Sequence, residues 1–375
     1  MKFDFVIVGA GLTGCTIAEY ITSHTDKKVL IIEQREHIAG NCYDFRDEHN
    51  ILVQKYGPHI FHTKYESVWE YLSKFTEWET YEHYVLGNIE GNYVPIPFNL
   101  VSIKKCFPEE LATRIEKKLL SKFEYGTKIP ILDLCNYKDK DLEFLYNFIY
   151  KNVFEGYTSK QWGIPLYELS KTVSERIPVF ISNDCRYFQD KYQAIPRLGY
   201  TELCKNMLRN KNIHILLSTN YFDIANQIEY DKLIYSGKID TFFNYKYGHL
   251  PYRDLDFEFI YYDLEKFQPV AQVNYPNSND FTRITEFIHF YNTQKHIGTV
   301  IAKEYSKEHN PELNLAPYYP VPNKKSELMI KKYLAEVKKK NNILFAGRLG
   351  DYKYYNMDDT VYRAIEVAKK LVEIL

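Results

Sequence analysis

The chain has 375 residues, more than a single hydrophobic core usually organises, so two or three structural domains are expected. Its 48 basic and 49 acidic residues leave a formal net charge of -1, which gives no global field for nucleic acid or an anionic membrane; an anionic ligand must be held by local arginines. Six scattered cysteines without a CxxC pair argue against a disulfide or zinc framework, and no apolar run approaches the ~20 residues of a membrane span, so a cytoplasmic protein without a metal is expected.

The elements begin with strand, tight turn, helix and strand: FDFVIVGAG, LTGCTIAEYITSH and KKVLIIE. Fully apolar, β-branched runs such as FVIV and VLII fit parallel strands covered on both faces. From about Tyr65 to Asn210 longer amphipathic segments such as PEELATRIEKKLLSKF and KDLEFLYNFIYKNVF predict helices. Polar and apolar residues alternate from about Phe75 to Phe98 and from about Tyr245 to Tyr305, as in an antiparallel sheet. The end, NNILFAGR followed by DDTVYRAIEVAKKLVEIL, returns to strand and amphipathic helix. The fold class is therefore α/β: a Rossmann-like dinucleotide-binding domain carrying a helical insert and an antiparallel-sheet insert. Its parts are expected over residues 1–65, 195–240 and 320–375 for the dinucleotide domain, 100–190 for the helical substrate domain, and 75–99 with 241–319 for the sheet.

GAGLTG matches G-x-G-x-x-G between the first strand and the first helix. Gly9 permits the turn, Gly11 lets the backbone approach a pyrophosphate at the helix N-terminus, and Gly14 allows helix and strand to pack closely. Glu33 ends the second strand, where a carboxylate accepts from ribose hydroxyls. Arg35, Gly40 and Asn41 follow in EQREHIAGN, placed to wrap the adenosine or pyrophosphate side. A fingerprint at the first strand, answered by a second strand and helix at the far end of the chain, suits FAD better than NAD. His59 of KYGPHIFHT is a candidate for the flavin edge or the sugar pocket, whereas His62 fits a structural role. Thirty-five tyrosines supply rings that stack on bases and sugars and hydroxyls that bond phosphates.

Six further segments carry a resemblance: GYTSKQWG (Gly156 to Gly163), SERIPV (Ser174 to Val179), RYFQDKYQAIPRLGYT (Arg186 to Thr201), FTRITE (Phe281 to Glu286), PYYPV (Pro317 to Val321) and GRLGDYKYYNM (Gly347 to Met357). In this order they resemble the signature segments of the prokaryotic UDP-galactopyranose mutases, and with the glycine fingerprint they span essentially the whole chain. The resemblance implies an FAD-dependent isomerase, active with reduced flavin and homodimeric, that interconverts UDP-galactopyranose and UDP-galactofuranose. It implies that Tyr157 and Trp162 lie at the uridine and diphosphate, with Phe154 and Asn274 helping to hold the uracil. Arg176, on a mobile loop, and Arg283 clamp the diphosphate. Tyr187, Tyr318, Tyr319, Tyr352 and Tyr355 hydrogen-bond it. Arg348 approaches the flavin dinucleotide, and Asp358 begins the helix at the isoalloxazine.

Arginine forks match diphosphate oxygens better than lysine does, and tyrosine hydroxyls add donors without charge. The implied chemistry is attack by N5 of reduced flavin on the anomeric carbon, expulsion of the diphosphate, ring opening to a flavin iminium and reclosure through the 4-hydroxyl. This sequence departs from the family pattern at Ala39, where a glycine is usual, at Ala194, likewise a usual glycine, in FISND after Val179, which lacks a common basic residue, and at His83, where many members carry asparagine near the substrate. His83 opens the alternative of another sugar nucleotide, dTDP-fucopyranose or UDP-N-acetylgalactosamine. A flavin amine oxidase shares the dinucleotide domain but does not require the KQW and paired-arginine segments.

Overall fold

In the computed structural model, residues 2–163, 178–277, 279–291, 296–313 and 317–373 are described. Five strands form one parallel sheet in the order Ile213–Leu216, Val29–Ile32, Lys2–Val8, Glu229–Tyr235 and Ile343–Phe345. The four-residue strand VLII is buried along its whole length, as its uninterrupted apolar run requires in a sheet covered on both faces. Helix Leu12–His24 and the closing helix Met357–Glu373 pack together on one face, sharing a core with Phe5, Ile7, Ile31 and Val361. Leu30, Ile32, Leu233 and Tyr235 point to the other face and pack with Tyr252, Tyr333 and Phe345, the alternation that a strand imposes.

A seven-stranded sheet forms the second layer of strands. Its order is Tyr319–Pro320, Tyr252–Tyr262, Thr299–Glu308, Arg283–Glu286, Gln272–Asn274, Val85–Ile89 and Asn92–Ile96. Every pairing is antiparallel except Gln272–Asn274 beside Val85–Ile89, which meet in parallel because they come from segments far apart in the chain. Tyr192–Pro196 pairs with both Phe61–Thr63 and Trp78–Thr80, tying the region after the helical insert back to the loop that carries His59.

The helical insert runs from Leu100–Cys106 through Glu109–Lys122 and Lys140–Ile149. Asn99 caps the first of these: its side chain accepts from the Ser102 amide while Ser102 answers at the Asn99 amide. Asp139 caps the third. That helix then widens into a π-helical stretch at Tyr150–Glu155 before Gly156–Trp162, and such widening shifts which residues face inward. Among the described residues no helix is long and apolar enough to cross a membrane.

Candidate functional site

The glycine turn is built by contact. A Cβ on Gly9 would stand 2.2 Å from Ser236 Oγ, and one on Gly14 would stand 2.0 Å from the Gly9 carbonyl oxygen, so strand, helix and the strand end at Ser236 meet with no room for a side chain. Glu33 is buried, and its two carboxylate oxygens accept from the Ala10 amide at 2.8 Å and the Arg35 amide at 2.9 Å. The Arg35 guanidinium stacks 4.2 Å from the centre of the Tyr56 ring and donates to Asn41 at 3.0 Å. Ala39, the departure from the family glycine, adopts φ 71° beside Gly40 at φ 57°. The left-handed turn is thus kept without glycine, at a cost of about 1 kcal/mol.

These residues line a cavity of about 330 Å³ that runs from Gly9 and Gly11 past Glu33, Arg35 and Asn41 to His59, Tyr318, Arg348, Met357 and Thr360. Its fit to a dinucleotide rests on the glycine backbone in its wall, the buried Glu33 carboxylate and the first residues of two helices, Leu12 and Met357. Asp358 stands in the first turn of the closing helix, but its side chain faces Thr63 and the Asp359 amide; Met357 and Thr360 are the cavity residues there. Burial, with Asp359 adding to it, holds the Asp358 carboxyl above its usual range.

His59 lies where this cavity meets the second half of the site. Its Nδ1 donates to the Gly57 carbonyl at 2.8 Å, which leaves Nε2 as the acceptor. Burial lowers its pKa to about 4 against the pull of that carbonyl, and Arg348 and Arg283 both act in the same direction as burial. The imidazole is therefore neutral at physiological pH and senses an arginine on either side.

Arg283 is the charged centre of the second half. It stands directly across the ladder from Glu304, which accepts from Nε at 2.7 Å and Nη2 at 2.6 Å; the Glu304 side chain is 1% exposed. Burial opposes the charge on Arg283, but Glu304, Tyr157 and Tyr319 outweigh it and keep the guanidinium protonated. Tyr157, Tyr187 and Asn274 line an adjoining slot with Val153 and Pro276. Arg283 and Tyr187 also adjoin His83, which is 2% exposed and which burial lowers to a pKa of about 3. Trp162, Tyr319 and Tyr354 pack together, with ring centres 6.2 Å and 6.3 Å from the indole and Tyr319 stacked on Tyr354 at 5.4 Å.

Lys160 fixes this arrangement. Its ammonium sits among the carbonyls of Tyr275, Asn277, Asn279 and Phe281, which share its three donors, and this clasps the hairpin carrying Asn274 and Arg283 onto the helix carrying Tyr157 and Trp162. Arg253 braces the same helix end by donating to the Lys160 and Gln161 carbonyls, both at 3.2 Å.

Three sequence expectations are corrected. Tyr352 does not reach a diphosphate: it is buried at φ 49°, and its hydroxyl donates toward the carbonyls of Pro251 at 2.8 Å and Val321 at 3.1 Å. Tyr355 turns the other way, to Asp351 at 3.2 Å, while its carbonyl accepts from Arg348. The tyrosine of this segment that joins Trp162 and Tyr319 is Tyr354, over whose ring the Arg348 guanidinium sits at 5.2 Å. Phe154 is wholly buried in the helical core, and Val153 takes the slot instead, the register change expected of the π-helical stretch. Tyr318 and Tyr319 divide between the two halves, Tyr318 lining the dinucleotide cavity and Tyr319 facing Arg283, because neighbours on an extended strand point to opposite sides. Arg176 lies outside the described residues. Glu304, Lys160, Val153 and Tyr354 were not singled out from sequence; only Glu304 had a local signal, the alternation of VIAKEYSKE, which points it to the same face as Ala302 and Ser306.

Comparison with known proteins gives the family. A family model described as UDP-galactopyranose mutase matches residues 152–354, and one described as an NAD(P)-binding Rossmann-like domain matches residues 7–75. The chain is 36% identical to a probable UDP-galactopyranose mutase of Klebsiella pneumoniae over 98% of this chain and 94% of that protein. It is also 36% identical to a dTDP-fucopyranose mutase of Escherichia coli over 98% of both. A crystal structure of a reduced UDP-galactopyranose mutase superposes with a TM-score of 0.74, covering all of this chain and 95% of that one at 16% identity, a likeness of fold. On the family model and the full-length relatives, the chain belongs to the UDP-galactopyranose mutase family and is a flavin-dependent isomerase of nucleotide sugars.

Proposed function

We propose that the protein interconverts UDP-galactopyranose and UDP-galactofuranose with reduced FAD, as a homodimer in the cytoplasm. The observation that carries this reading is Arg283: a guanidinium held charged by a buried carboxylate, ringed by tyrosines, and one histidine away from the dinucleotide cavity. When bound and reduced, the flavin supplies a nucleophile at N5 for the anomeric carbon.

The chain's own residues then have four tasks. Gly9, Gly11, Gly14, Glu33, Arg35, Gly40, Asn41 and Arg348 bind and orient the cofactor. Tyr157, Tyr187 and Asn274 hold the nucleobase in the slot. Arg283, with Trp162, Tyr319 and Tyr354, keeps the departing diphosphate beside the sugar so that it returns to the same carbon, and Arg176 is assigned to this clamp as well. His59, neutral and presenting Nε2, accepts a hydrogen bond at the edge where cofactor and sugar meet.

A second reading, the same ring contraction on dTDP-fucopyranose, is favoured by the dTDP-fucopyranose mutase relative at 36% identity and by the buried His83 beside Tyr187. The test is to reduce the purified flavoprotein with dithionite and supply UDP-galactofuranose, dTDP-fucofuranose and UDP-N-acetylgalactosamine separately. Rapid conversion of UDP-galactofuranose, with slower turnover of the others, is expected. Preference for dTDP-fucofuranose transfers the assignment to the second reading, and conversion of none overturns both.

A further inference from the structure

Beside the dinucleotide cavity lies a chain of three ionisable side chains that the mutase chemistry does not use. Lys238 lines the cavity two residues after Ser236, whose hydroxyl stands against Gly9 at the glycine turn. The Lys238 ammonium is 3.0 Å from His309 Nε2, and His309 Nδ1 is 3.0 Å from both carboxylate oxygens of Asp254. His309 and Asp254 are 8% and 4% exposed. An ammonium only donates and a carboxylate only accepts, so the proton on the ring sits at Nδ1 and points to Asp254, while Nε2 accepts from Lys238. One donor of Lys238 is used in this way; burial lowers the lysine's pKa, and the carboxylates of Asp240 and, behind the imidazole, Asp254 act against that lowering.

We propose that Lys238, braced by His309 and Asp254, is the cation that meets the phosphates of the dinucleotide cofactor. This rests on the reading of the cavity as an FAD site. A dinucleotide brings two negative charges into the cavity. Two other cations along its wall are already engaged: Arg35 with Asn41 and the Tyr56 face, and Arg348 with the Tyr318 and Tyr355 carbonyls. Lys238 is the wall cation fixed through an imidazole rather than spent on the backbone. It stands near the glycine turn, where a pyrophosphate approaches the helix N-terminus. His309 and Asp254 act as positioning residues: they hold the lysine at the cavity wall, much as an outer carboxylate orients a ligating histidine.

The test separates charge from shape. FAD, ADP and adenosine are titrated calorimetrically into the flavin-free full chain, for the parent, Lys238→Met, Lys238→Arg and Asp254→Asn. Lys238→Met should weaken FAD and ADP by about tenfold or more, the loss of one charge-assisted hydrogen bond, and leave adenosine within about twofold. Lys238→Arg should restore most of the ADP affinity, and Asp254→Asn should show a smaller loss with the same preference for phosphate-bearing ligands. Unchanged ADP binding in Lys238→Met, or equal losses for ADP and adenosine, overturns the inference while FAD binding by the parent stands. A parent that takes up no FAD overturns the cofactor reading itself and the inference with it. Should Lys238→Met fail to fold, the Asp254→Asn series decides by the same criteria.

Discussion

The two halves of the site are made in different ways. The recognisable part of the dinucleotide cavity, its glycine turn and acidic strand end, lies in two short stretches, Gly9–Gly14 and Glu33–Asn41, and the rest of its wall is gathered from other segments, among them Ser236–Lys238 and Gly347–Leu349. The tyrosine and arginine seam is drawn from side chains on a helix, four strands and two loops spread along the chain from Tyr157 to Tyr354, clasped together by Lys160 and by the pairing of Arg283 with Glu304. The lesson is that a backbone-made site follows from local spacing, whereas a side-chain-made site follows from register, and register is settled only when sheets assemble.

If the two halves are energetically separate, damage to the seam should spare cofactor binding. The largest effect is expected from Arg283→Ala: turnover should fall by about a thousandfold or more, and removal of the partner of a buried Glu304 should cost about 3–5 kcal/mol in urea unfolding. Arg283→Met with Glu304→Gln should recover much of that stability without recovering turnover, and flavin retention should match the parent. Flavin loss in the double variant would break the separation. Lys160→Met, which unclasps the hairpin, should raise KM for the sugar nucleotide about tenfold with a smaller change in kcat. A fall in kcat with unchanged KM would place the clasp outside substrate binding.

The tyrosines sharpen the same contrast. Tyr354→Phe should raise KM several-fold at unchanged thermal stability. Tyr352→Phe should leave KM alone and lower stability by about 1 kcal/mol, because the buried hydroxyl's hydrogen bonds to the Pro251 and Val321 carbonyls are lost. The reverse pattern would restore the sequence expectation for Tyr352.

Acid should act on the seam through His83. Burial lowers its pKa to about 3, and His59 to about 4, from about 6.5 in the unfolded chain. Both are neutral when folded, so their stability contribution is whole above about pH 6.5. It is lost as pH falls toward the folded values, since the unfolded chain takes up the protons first. His83→Asn should flatten the stability profile between pH 6 and 4 by about 1.4 kcal/mol per pH unit, read from urea midpoints across that range. An unaltered slope would show that His83 is charged or exposed in the folded protein. The smallest effect belongs to the cavity: Ala39→Gly relieves a left-handed alanine and should stabilise the fold by about 1 kcal/mol with flavin affinity unchanged.

The parallel sheet and its glycine turn were legible because their signals are local: buried strands are apolar throughout, and only glycine fits where Gly9, Gly14 and Ser236 converge. Helices Glu109–Lys122 and Lys140–Ile149 were legible from their apolar faces. The π-helical stretch was not, since nothing in KNVFEGY announces the shift that sends Phe154 inward and Val153 to the slot.

The sequence by itself determined the dinucleotide turn, the acidic end of the second strand and the set of residues from which the substrate side is made. The tertiary structure decided which of them face the site. GRLGDYKYYNM holds three tyrosines within four positions, and composition cannot rank them. Tyr355 turns to Asp351 within the segment, whereas Tyr352 is drawn to the Pro251 and Val321 carbonyls and Tyr354 to Arg348 and Tyr319, which requires partners from distant parts of the chain. The same holds for Glu304, an ordinary glutamate in sequence, whose placement opposite Arg283 exists only in the assembled ladder.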